Sequence, residues 1–112
     1  MKQAELEAKL AGLWMNEETN YWWVFFPANI DDPKWLIVMN DNRIGLTPGS
    51  WNFNYRVETD SENSFVNIYH LRGVSQCRIK FLDDNLLELQ NPPVDNEGNA
   101  QKASVTLRRA GH

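Results

Sequence analysis

Residues 51–58 read WNFNYRVE. Trp51, Phe53, Tyr55 and Val57 alternate with Asn52, Asn54, Arg56 and Glu58, so a two-residue repeat puts every apolar side chain on one face and every polar one on the other. A helix, with about 3.6 residues per turn, would scatter the same residues around its circumference. The stretch is a strand with one dry face and one wet face.

Downstream the same grammar repeats. Asp60, Ser61, Glu62 and Asn63 make a turn, and Phe65 to His70 is the next strand. Gly73 bends the chain into Val74 to Phe81, where Ser75, Cys77, Ile79 and Phe81 share one parity and Gln76, Arg78 and Lys80 the other. Asp83, Asp84 and Asn85 turn into Leu86 to Gln90. The segment NPPVDNEGNA at 91–100 has the composition of an exposed connection, and Lys102 to Arg108 is the final strand, with Ala103, Val105 and Leu107 on one side.

Upstream, Trp14 to Glu17, Tyr21 to Phe26 and Trp35 to Met39 are β-favouring runs. Pro27 stops the second of them, Asp31, Asp32 and Pro33 form a turn, and Asn40 to Asn42 lead into a short strand, Arg43 to Thr47, closed by Pro48 and Gly49. The chain begins differently. Leu6, Leu10 and Leu13 recur at helical spacing, and Gly12 ends that helix.

About eight short strands joined by hairpin-length turns imply antiparallel meandering, because parallel neighbours need long crossovers. Closure into an up-and-down barrel removes exposed edges, and about eight strands enclose room for side chains or one small ligand. The expected fold is thus all-β: one antiparallel barrel domain over residues 1–112 with a short N-terminal helix. A two-sheet sandwich is the rival architecture.

Composition narrows the function classes. The net charge of −4 disfavours a general nucleic-acid binder, and the basic residues Arg72, Arg78, Lys80, Arg108 and Arg109 are interleaved with acids. Glu5, Glu7 and Lys9 interrupt what an export signal would need as an apolar run, and a membrane-spanning helix is not expected. Cys77 is the single cysteine, which excludes an internal disulfide and suits a cytoplasmic location. Five Trp, five Phe and three Tyr supply large rings that either fill the core or line a pocket.

Gly12-Leu13-Trp14, placed between a short helix and the first strand, resembles the Gly-X-Trp signature of lipocalins, and Arg108 or Arg109 looks like the late arginine that packs across that tryptophan. The order of elements along most of the chain is similar to the compact bacterial lipocalin-like (calycin) domains. A Thr-Asp-Tyr segment and a cysteine pair are lacking. The resemblance implies a barrel whose floor is closed by Gly12, Trp14 and one of the two arginines, through a cation–π contact.

No catalytic or metal motif emerges, and no cofactor is expected. His70 and His112 lack ligand partners at useful spacing, and Cys77 sits in an apolar alternation typical of a core thiol. Asp31-Asp32 and Asp83-Asp84 fall in turns. The candidate ligand wall comprises Trp23, Phe25, Trp51, Phe53, Tyr55 and Tyr69, with the Tyr55 phenol as its polar handle. YWWVFF and WLIVM are apolar on both strand faces, so their outer face needs the helix, a second copy or a protein partner to cover it.

Three functional readings follow. The leading one is a non-enzymatic binding protein holding a small apolar or aromatic ligand or a protein partner. The second is a small acidic interaction or inhibitor module of immunity type. The third is a barrel isomerase or cyclase using Tyr55, Tyr69 or His70 as acid or base.

Overall fold

The computed structural model describes residues 2–19, 21–26, 34–40, 50–93 and 103–111. One helix, α1 (Gln3–Leu10), precedes eight strands: β1 (Gly12–Asn16), β2 (Tyr21–Phe25), β3 (Lys34–Asn40), β4 (Ser50–Thr59), β5 (Ser64–His70), β6 (Gly73–Asp83), β7 (Leu86–Gln90) and β8 (Ser104–Gly111). Each strand pairs antiparallel with the next, and β8 pairs back with β1, so the sheet is a closed up-and-down barrel. The sandwich alternative is excluded by that last pairing.

The alternation at 51–58 sets the inside of the barrel. Phe53, Tyr55 and Val57 are buried and Trp51 packs partly buried against the core, while Asn52, Arg56 and Glu58 are exposed. Register carries that parity around the sheet, because directly opposed residues share a face. Phe53 opposes Leu36, Leu36 opposes Phe25, and Val57, Val66 and Cys77 follow one another across β4, β5 and β6. Ile79, Leu89, Leu87 and Leu107 complete the interior wall.

Two backbone details shape the closure. Gly12 has φ of 123°, a region that side-chain-bearing residues rarely adopt, and it lets the chain turn from α1 directly into β1. The β1–β8 register then shifts between Leu13 and Trp14, so that Leu13 opposes Gly111 and Trp14 opposes Arg109. Such a bulge re-aims the side chains beside it.

The helix is shorter than the leucine spacing predicts. Leu6 and Leu10 are fully buried, but Leu13 belongs to β1, with the parity opposite to the inward Trp14. The start of the 91–100 segment also differs from an exposed connection. Pro92 and Pro93 are buried, Asn91 N–H donates to Ala103 O at 2.8 Å, and Asn91 adopts φ of 52°. Burial of two rigid rings without backbone donors costs no unsatisfied N–H, which is why prolines can fold inward here. The expected strand Arg43 to Thr47, its flanking turns, Asp31–Pro33, the remainder of the 91–100 segment and His112 lie outside the described residues.

Candidate functional site

At one end of the barrel, α1 sits across the opening with Leu6 and Leu10 in the core, and four polar ties hold it. Trp14 Nε1 donates to Leu10 O at 2.8 Å. Arg109 donates to Ala11 O at 3.1 Å and to Lys9 O, while its guanidinium carbon lies 4.3 Å from the Trp14 ring centroid. Lys34 and Glu7 form an ion pair at 3.3 Å with side chains only 11% and 15% exposed. Lys9 stacks over Phe81 at 4.4 Å.

Of the two candidate arginines, Arg109 is the one that covers Trp14. Arg108 points to the outer surface and pairs with Glu17 at 2.5 Å, both largely exposed. Burial pushes the Arg109 pKa down from its ordinary value, and the two carbonyls and the indole face compensate for lost water. The result is a floor built from a helix terminus, an indole and a guanidinium.

Above that floor the interior is aromatic. Trp23 and Phe25 point inward from β2, with centroids 6.5 Å apart, and Phe25 meets Tyr55 edge-on at 5.3 Å. Toward the opposite end, Tyr21 and Trp51 lean together over β3, stacked at 5.6 Å with planes 16° apart. Strand parity puts Tyr21, Trp23 and Phe25 on one side of β2, which is how a continuous run of rings arises from a five-residue strand. Buried Asn16 lies on the inward face of β1, and its side chain accepts Glu18 N–H at 3.1 Å.

Five of the six expected wall residues therefore share the interior: Trp23, Phe25, Trp51, Phe53 and Tyr55. Tyr69 does not. It is 39% exposed, opposed by Asn54 and Val74 on the outer face. The alternation Val66, Ile68, His70 within β5 already fixes Tyr69 outward, so the parity that identifies the strand also settles this residue.

The Tyr55 phenol ties β4 to the end of β2. Its hydroxyl donates to Phe26 O at 2.5 Å, and burial, then the Glu7 charge, raise its pKa above the ordinary tyrosine value. Trp23, which the sequence places on this wall for its ring, also brings a polar atom to it. Among the described residues, Trp23 Nε1 is the buried side-chain nitrogen without a hydrogen-bond partner. Sequence parity places the Trp23 ring inward, but whether its N–H meets an acceptor depends on the neighbouring strands.

The other titratable groups do not converge with that interior. Arg72 N–H donates to His70 Nδ1 at 3.3 Å, so the ring proton belongs on Nε2, which contacts Ser75 Oγ at 2.9 Å as donor. That tautomer pins the β5–β6 hairpin and cannot accept the serine proton. Cys77 is fully buried, burial pushes its thiol up to about 12, and its Sγ lies 3.6 Å from Asn91 O. A neutral thiol at that value is a poor nucleophile.

Outside the barrel, a groove of about 410 Å³ has walls of mixed character, with Glu62 and Glu88 beside Arg78, Lys80, Ile79 and Phe81. Among the described residues no cluster of three or more His, Cys, Asp or Glu side chains could hold a metal, and no helix is long and apolar enough to cross a membrane.

The outer face of β1 to β3 is apolar across all three strands. Leu13, Val24 and Ile37 form one cross-strand row, and Met15, Trp22 and Met39 another. Trp35 next to them is 45% exposed. Helix α1 occupies the barrel end and does not lie on this face, which removes one of the three coverings expected from sequence. Comparison with protein-family models, with curated proteins and with solved structures returns no match for this chain.

Proposed function

We propose that this chain is a non-enzymatic binding protein of lipocalin-like type, holding one small apolar or aromatic molecule inside the barrel. The observation that carries the reading is the lining of the interior: above a floor made by a helix, Trp14 and Arg109, an inward aromatic row runs from Phe25 through Trp23 to the stacked Tyr21–Trp51 pair. Apolar walls with few polar groups suit recognition by shape and burial, and a barrel of eight strands is of the width that either fills with side chains or holds one small guest.

The test is saturable binding of phenylnaphthylamine, a neutral aromatic dye, followed by energy transfer from tryptophan to dye. One equivalent should bind with a Kd in the micromolar range and raise Tm by several degrees when present well above that Kd. A linear, unsaturable signal with no change in Tm would contradict the reading.

A second reading rests on the apolar outer rows of β1 to β3 and on exposed Trp35. Patches of this kind mark protein contacts on soluble barrels. A chain that binds no dye and sediments as a dimer would move the function to that face.

A further inference from the structure

Trp23 has a chemistry that the aromatic wall alone does not need. It is 4% exposed, it lies between Trp14 and Val38 in the cross-strand register, and its Nε1–H has no acceptor among the described residues. Trp14, its neighbour on β1, satisfies the same group through Leu10 O. An indole N–H buried without a partner forfeits a hydrogen bond it would make in water, and native interiors avoid that cost. In a strand whose inward positions are otherwise rings, a phenylalanine would fill the place without the penalty.

We propose that Trp23 Nε1–H is the recognition donor of the barrel, and that its natural guest is a neutral, flat molecule presenting one hydrogen-bond acceptor, such as a ring carbonyl, to it. This rests on the binding reading above and deepens it. A neutral acceptor is favoured over an anion by the surrounding charges. The Arg109 guanidinium is engaged by Trp14 and two backbone carbonyls, and the Lys34 ammonium by Glu7. The Lys9 ammonium lies over the Phe81 ring beside α1, so a carboxylate taken out of water would have to compete for a cation already engaged. Flatness follows from the parallel Tyr21 and Trp51 rings, which favour a guest able to stack in the same direction.

The experiment compares indanone with indane, two bicyclic molecules of nearly the same shape that differ in the ring carbonyl. Binding to the full chain is measured by competition against the dye, and the indole N–H protons are followed by proton–nitrogen NMR. Indanone should bind about tenfold tighter than indane, the value expected when a buried donor gains its acceptor. One indole proton, identified as that of Trp23 by its loss in Trp23→Phe, should move downfield with indanone and stay with indane. In Trp23→Phe the preference should collapse to about unity.

Equal affinities, or an unmoved Trp23 proton in the wild-type protein under saturating indanone, would overturn this assignment while leaving the binding reading in place. Failure of dye, indane and indanone alike would overturn both. The wild-type NMR arm decides the matter even where Trp23→Phe does not fold.

Discussion

Replacing Trp14 by alanine is expected to destabilise the protein by about 4–6 kcal/mol, close to the entire stability of many domains this size. Three losses combine. The indole is fully buried, and removing a buried tryptophan side chain costs about 3–5 kcal/mol through lost transfer energy and the cavity left behind. The stacked Arg109 then has no ring beneath it, a contact worth about 0.5–2 kcal/mol. Leu10 O also loses the indole donor at the last turn of α1. Trp14→Phe keeps most of the buried area and drops the N–H, so it should cost only about 1–3 kcal/mol. Urea unfolding followed by far-ultraviolet circular dichroism measures both. An alanine variant within about 1 kcal/mol of wild type would mean that Trp14 does not close the floor.

The second large effect belongs to the ion pair between Glu7 and Lys34. Lys34 begins β3 on the inner face, opposite Tyr55, and its side chain is slightly more buried than the carboxylate it meets from α1. Breaking such a pair from one side leaves a charge with neither water nor partner. Lys34→Met alone should therefore cost about 2–4 kcal/mol, a little below the range for fully buried pairs because some water reaches these groups. Glu7→Gln alone should cost less, since the amide can still accept from the ammonium. With Glu7→Leu and Lys34→Met combined, stability should return to within about 1 kcal/mol of wild type. The quantity that decides is the coupling in the double-mutant cycle, expected near 2 kcal/mol. A coupling below about 0.5 kcal/mol would place the pair among surface contacts that hold nothing.

Both effects concern the plugged end, and that end was only partly legible. The Gly12-Leu13-Trp14 signature and a late arginine pointed to a closed floor, and the strands from Trp51 onward followed their own alternation. Local periodicity suffices there because each strand shows its dry face directly. The choice between Arg108 and Arg109 could not be made locally. It depends on the register shift between Leu13 and Trp14, and a one-residue slip exchanges inner and outer faces.

Lys34 illustrates a different limit. A charged residue beginning a strand reads as solvent-facing, and only the docking of α1 some thirty residues earlier in sequence supplies the carboxylate that lets it turn inward. Leu13 misled in the opposite sense, continuing the leucine spacing of the helix after the backbone had already turned at Gly12. For the candidate site, ring positions were readable and polar ones were not. Tyr55 offers an obvious hydroxyl, yet it is held by Phe26 O, a contact set by where the chain leaves β2. The Trp23 donor becomes evident only when acceptors from other strands have been accounted for.

Closure of the sheet is what gives the interior its floor, its aromatic row and its buried indole donor. The direct measurement is the set of backbone nuclear Overhauser effects between β1 and β8, together with amide exchange along β1. Cross-strand effects from Trp14 to Arg109 and from Met15 to Arg108, with slow exchange on both edges of β1, are the expected result. Fast exchange along the edge of β1 that faces β8, with no effects linking these residues, would describe an open sheet and contradict the account.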